Sequence, residues 1–295
     1  MRFKGNTIGY LFILPAVAVM ATLVGYPIVY NIILSFQDVT LMNLGSGAKS
    51  FIGLDHYKQI FSDELFMKAL WQTVYYSVAS IILQFVIGFA LALFFSLNFK
   101  LASYLRGLMM VTWLVPLTVA ALLFQFMLSP SVGVLNYLPM ELGILSEPIA
   151  WLSDTNYALW GLILTNVWIG IPFNMLLIAT GINSLLKEVF ESAQIDGANW
   201  FQRFVKITLP MLRPVLLIVL MLGMIYTFKV FDLVFVMTNG GPANSTEVLS
   251  TLSYRYSFDH FNFGLGASVA NVLFLILLVI AFFYIKMTRD DEVIE

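Results

Sequence analysis

Two charged residues and a handful of amides lie inside otherwise apolar runs of this 295-residue chain, and they are where its chemistry is concentrated. Lys229 and Asp232 are three apart in one such run, a spacing that puts both on one face of a helix. Asn166, Trp168 and Asn174 share another run with Gly170 and Pro172. Tyr226 and Asn271 add a ringed hydroxyl and a further amide. Amides and flat aromatic faces suit a polyhydroxylated solute. A Lys–Asp pair suits a gate, an anchor for an acidic solute or an ion-coupling pair. Each group also has a plainer role, the amides in helix–helix packing and Lys229 as a lysine reaching toward the membrane edge beside a counter-ion. Weaker candidates are Trp113, Pro116, Thr118 and Gln125.

Bond-breaking chemistry finds little support. The chain has no cysteine and two histidines, His56 and His260, neither inside an apolar run. No paired carboxylates lie within such a run, so the usual general acid–base and nucleophilic machinery is missing. No G-x-x-x-x-G-K-[ST] phosphate loop is present, so this chain does not bind ATP in that way. No basic block points to nucleic acid, and the net charge is -2.

The elements that position these residues are membrane spans. The chain is 60% hydrophobic and 11% charged, whereas soluble domains carry about 25% charged residues. A spanning helix needs about 20 apolar residues. Six stretches qualify: Ile8–Phe36, Leu70–Leu97, Leu105–Leu128, Ala158–Thr180, Met211–Val236 and Phe263–Ile285. The first begins like a secretory leader, with Arg2, Lys4 and an Ala16-Val17-Ala18 site. Its apolar run continues to Phe36, well beyond the roughly 7–15 residues of a leader core, so we read it as an uncleaved first span. By this count Lys229 lies roughly 21 Å into a core about 30 Å thick.

Lys/Arg bias sets the orientation. With the N-terminus inside, ten basic residues fall inside: Arg2, Lys4, Lys100, Arg106, Lys187, Arg203, Lys206, Arg213, Lys286 and Arg289. Four fall outside: Lys49, Lys58, Lys68 and Arg255. Both termini are therefore expected in the cytoplasm. The Gln37–Ala69 loop falls outside, punctuated by Gly45, Gly47 and Gly53, with room for a short helix near Asp55–Phe61. No internal repeat of the secondary-transporter kind is visible, and a single membrane domain, residues 1–295, is expected.

Between spans four and five the chain inserts about thirty polar, patterned residues, Gly181 to Pro210. Asn183–Val205 has helical periodicity in two apolar sets, one ending at Ile195 and one at Trp200, Phe201, Phe204 and Val205, with Gly197 between. Glycine tolerates positive φ, so two short helices joined at a bend are expected. An amphipathic helix lying on headgroups explains the apolar face, but not the bend.

The spacing Glu191-Ser192-Ala193, then Gly197, then Ile207-x-Leu209-Pro210 resembles the EAA signature of membrane subunits of binding-protein-dependent ABC importers, with Ser192 where alanine is usual. The run Phe231-Asp232, Thr238, Gly240-Gly241-Pro242, Thr246 resembles the corresponding segment of carbohydrate-importer permeases. It is closest to the first of the two unlike permeases in maltose- and glycerol-phosphate-type systems. Tyr10-Leu11-Phe12-Ile13-Leu14-Pro15 fits the same group.

The resemblance implies an all-α membrane protein of six transmembrane helices, with the ABC type I importer permease architecture, in a bacterial-type inner membrane. It implies a second permease, a dimer of cytoplasmic ATPase subunits and an extracellular or periplasmic solute-binding protein as partners. No cofactor or metal is then held by this chain, and ATP and Mg²⁺ sit on the ATPase. Docking is carried over to Glu191, Ser192, Ala193, Asp196, Gly197, Trp200, Phe201 and Arg203. Glu191 is expected to brace the bend from within rather than reach the partner. Set against this reading are an ion-coupled carrier using Lys229 and Asp232, and an importer subunit for another solute class.

Overall fold

The computed structural model describes residues 5–45, 49–97 and 99–292. Arg2, Lys4 and Gly47, used above, lie outside them. The described chain is helical apart from one two-stranded ribbon and its connecting turns. In order, α1 (Gly5–Met20) continues through a π-helical turn, Ala21–Gly25, into α2 (Tyr26–Ser35). β1 (Gln37–Asp38) and β2 (Ser50–Phe51) follow, then α3 (Asp55–Phe61) and α4 (Glu64–Ser96). Next come α5 (Ala102–Leu114), α6 (Leu117–Met127), α7 (Val134–Glu141) and α8 (Ala158–Asn183). After these are α9 (Lys187–Ile195), α10 (Trp200–Arg203), a π-helical turn over Phe204–Thr208 and α11 (Leu209–Phe228). The chain closes with α12 (Asp232–Met237), α13 (Leu249–Tyr254), a π-helical turn over Arg255–Asp259 and α14 (Phe263–Glu292).

Among the described residues five helical stretches are long and apolar enough to cross a membrane, or six when α5 and α6 count as one broken span. The expected short helix at Asp55–Phe61 is present.

Three expectations need correction. The stretch Leu105–Leu128 is not one straight helix: α5 and α6 meet at 98°. Val115 stands before Pro116 and is extended, φ -67 and ψ 127, because the proline ring disfavours helical geometry in the residue before it. The stretch Met211–Val236 also breaks. α11 ends at Phe228, Lys229 occupies its cap, Phe231 leaves helical geometry at φ -129, and α12 starts at Asp232. Lys229 and Asp232 therefore do not share a continuous helix. Finally, α8 runs unbroken through Pro172, so Gly170 and Pro172 do not interrupt it.

The chain divides into two compact units. The first comprises residues 1–67 and 252–274. In it β1 pairs antiparallel with β2, Gln37 opposite Phe51. Gly264 packs so closely that a Cβ there would lie 2.4 Å from the Gln37 carbonyl and 2.5 Å from His56 Nε2. Ser35 and the Tyr57 hydroxyl are 2.8 Å apart.

The second unit comprises residues 68–251 and 275–295. One buried cluster joins Tyr76, Phe124, Leu162, Val167, Leu233 and Val234, at the level of the α11–α12 break. A second joins Ala92, Phe95, Met175, Ile178 and Val219, nearer the ends of α4 and α8. Glycines set the helix approaches here. A Cβ at Gly88 would fall 2.7 Å from Asn174 Cβ and 3.2 Å from Met175 N, and one at Gly181 would fall 2.9 Å from Val215.

Candidate functional site

Between the two clusters of the second unit lies a cavity of about 320 Å³. Residues of α4, α5, α8, α11 and the α11–α12 break line it. The break explains how charge reaches an apolar interior. Lys229 caps the C-terminus of α11 and Asp232 opens α12, so each charge meets the helix end that favours it. Lys229 Nζ is 5.1 Å from the centre of the Tyr226 ring, within reach of a cation–π contact.

One wall is aromatic. Trp113 stacks on Phe173 at 5.5 Å and 16°, and Phe173 meets Tyr226 edge-on at 6.3 Å. The opposite chemistry comes from amides. Gln84, buried on α4, donates to the Asn166 carbonyl at 3.0 Å. Asn174 donates to the Gly170 carbonyl at 2.8 Å and lies 3.5 Å from Gln84 Oε1. Asn166 Nδ2 is buried with no hydrogen-bond partner. An unpaired buried donor costs about 1–3 kcal/mol, and a bound acceptor would satisfy it. Ring faces for stacking, amide donors and one group of each charge can orient a polyhydroxylated molecule. Nothing in the cavity wall supplies a nucleophile.

Of the residues singled out from the sequence, Asn166, Asn174, Tyr226, Lys229 and Asp232 line this cavity, and so does Trp113. Trp168 does not: its ring packs 5.1 Å from Phe124 against the upper apolar cluster. Asn271 belongs to the other unit, where it accepts from Asn31 at 2.7 Å and donates to the Tyr57 hydroxyl at 3.3 Å. Gln84 and Phe173 were missed. Gln84 had a readable signal, a lone amide deep in an apolar run, whereas nothing distinguishes Phe173 from the chain's other phenylalanines.

The second site is the polar insertion. The expected bent pair is α9 and α10, and Gly197 sits at the bend with φ +77. Its backbone holds it: Ala198 N–H donates to the Ala193 carbonyl at 2.9 Å and Gly197 N–H to that of Gln194 at 3.0 Å. These are the paired bonds of a Schellman cap. Across the bend Asn199 and Gln202 form a reciprocal capping box, 2.8 and 2.9 Å.

Glu191 is exposed on α9, and the bend is held by groups other than its carboxylate. The expectation that Glu191 braces the bend is corrected accordingly. Ser192 Oγ donates to the Glu188 carbonyl at 2.9 Å, and Asp196 is the exposed cap of α9. Ala193 and Arg203 are half-buried. Ile195 is 88% exposed, and Trp200 and Phe201 are 66% each. Large apolar side chains presented together on a short rigid element are how a contact surface reads.

Residues 84–287 match the model of the binding-protein-dependent transport system inner membrane component family. The chain belongs to this family. Among curated relatives, a trehalose/maltose transport system permease protein of Thermococcus litoralis is 31% identical, over 98% of this chain and 96% of its own length. A sulfoquinovosyl glycerol transport system permease protein of Agrobacterium fabrum is 29% identical over 96% and 90%. Among solved structures, a bacterial ABC transporter involved in import of the acidic polysaccharide alginate superposes with TM-score 0.80 at 23% identity, covering 97% of this chain and 96% of that one. The fold of this family member is thus that of an ABC type I importer permease. It is a multi-pass inner-membrane protein and a non-catalytic component, ATP hydrolysis in such transporters residing on a separate subunit.

Proposed function

We propose that this chain is the permease subunit of a binding-protein-dependent ABC importer for a sugar, oligosaccharide or sugar-like solute. The carrying observation is the cavity at the α11–α12 break, where stacked rings face amides and Asn166 Nδ2 has no partner. The sugar-transport names of relatives matching nearly the whole chain support it. A second permease completes the path, and a solute-binding protein delivers to it from outside. A dimer of ATPase subunits, carrying ATP and Mg²⁺, docks on α9 and α10 through Glu191, Ile195, Trp200 and Phe201. Both termini and the docking segment then face the cytoplasm.

In this scheme ATP closes the ATPase dimer, the rigid bent pair moves with it, and the cavity opens to the other side. Trp113, Phe173 and Tyr226 hold the apolar faces of a sugar ring, while Gln84, Asn166 and Asn174 hold its hydroxyls. Gentle purification from the native membrane tests the assembly. The expected result is a cytoplasmic ATPase and a second six-span permease, both lost from a Gly197→Leu variant. A chain that purifies alone, with uptake of labelled saccharides that ignores ATP and follows an ion gradient, would sink the proposal and promote an ion-coupled carrier.

A further inference from the structure

The cavity and the docking pair are joined by a row of aromatic rings. Gln84, on the cavity wall, precedes Phe85, and Phe89 stands one turn further along α4. Phe85 and Phe89 stack at 6.0 Å and 28°. Phe89 meets Phe204 edge-on at 5.9 Å and 68°. Phe204 stacks on Trp200 at 5.5 Å and 4°. Every step lies within the range of a favourable ring–ring contact. Trp200 is exposed on the docking face, while Phe85 and Phe89 pack against the lower apolar cluster.

Two local features favour a mechanical role. Phe204 opens the π-helical turn Phe204–Thr208, across which Thr208 Oγ1 donates to the Arg203 carbonyl at 3.3 Å. Such turns are rare and concentrate at functional positions. Gly88, next to Phe89, is also where α4 comes closest to α8, its position for a Cβ only 2.7 Å from Asn174 Cβ. A displacement of Phe89 toward α8 has no slack to absorb it there, and close-packed interiors transmit strain.

We propose that Phe89 and Phe204 are positioning residues that carry movement of the docking pair to Gln84 and Asn174 on the cavity wall. This rests on the docking reading above. Spatial continuity is not coupling, so the test measures coupling directly.

The chain has no cysteine, so Ile169→Cys on the cavity wall can carry a bimane fluorophore in the complete transporter, assembled with cysteine-free partners. The probe is the emission shift on trapping with MgATP and vanadate. Phe89→Leu and Phe204→Leu keep apolar bulk and are expected to retain ATPase association. The trapped shift should fall roughly fivefold in each, equivalent to about 1 kcal/mol of lost ring contact. Phe89→Tyr, which keeps the ring, should restore it. Phe94→Leu, on the same helix but outside the row and 50% exposed, should leave it unchanged. A full shift in both leucine variants overturns the proposal with docking intact, and so does an equal loss in Phe94→Leu. If Phe89→Leu does not assemble, the half-buried Phe204 position decides. A wild-type chain that retains no ATPase overturns the docking reading instead.

Discussion

Asn166 holds a buried amide nitrogen with nothing to bond in the unliganded cavity. Replacing it by leucine, of similar size, removes that penalty of about 1–3 kcal/mol and removes a solute contact with it. Asn166→Leu is therefore expected to unfold at a higher temperature than wild type in detergent, yet to transport poorly. A variant that loses both stability and transport would mean the amide is structural. The glycines of the α4–α8 crossing make a matched comparison. A Cβ at Gly170 would meet only the far end of Gln84, 2.3 Å away, whereas one at Gly88 would meet Asn174 Cβ and the Met175 backbone. Gly170→Ala should fold normally with the Gln84 amide pushed aside, so that uptake falls at unchanged stability. Gly88→Ala has no mobile neighbour to displace and should cost about 1–3 kcal/mol of stability. Thermal unfolding of the two purified variants separates these outcomes.

At the scale of elements, the docking pair depends on its caps. Asn199→Ala removes half of a capping box, at a cost of about 1 kcal/mol. Gly197→Ala forces a side chain onto φ +77, at a cost of about 1–2 kcal/mol. With open space around the new methyl group, backbone strain is the only penalty at Gly197. Each change should weaken ATPase association roughly five- to tenfold without altering the melting of the membrane spans, as read by co-purification and calorimetry.

This insertion was legible because its polar composition and the Gly197 spacing are local properties of the chain. The broken spans were less so. Hydropathy averaged over Leu105–Leu128 conceals the Val115–Pro116 step, although Pro116 was in plain view. Likewise the apolar residues around Lys229 mask the end of α11. Facing was hardest. Trp113 and Trp168 look alike in sequence, yet one lines the cavity and the other packs on Phe124. The partners of Asn271, Asn31 and Tyr57, lie more than two hundred residues away along the chain, beyond the reach of periodicity.

For the whole molecule, the docking surface and the absence of a phosphate loop separate energy supply from solute path. Uptake should stop on ATP depletion and persist when the ion gradients are dissipated. Transport that collapses with the proton gradient at full ATP would assign Lys229 and Asp232 a coupling role instead. The exposed rings of the docking pair also bear on how much of this chain a cell keeps. Trp200, Phe201 and Ile195 stand largely uncovered in the chain by itself, and uncovered apolar patches invite recognition and loss. A copy that has found its ATPase hides them; a surplus copy continues to display them. Turnover would then trim the supply to match the ATPase, so depleting that subunit should shorten this chain's half-life in a pulse-chase, and Trp200→Ser should lengthen the survival of unassembled copies.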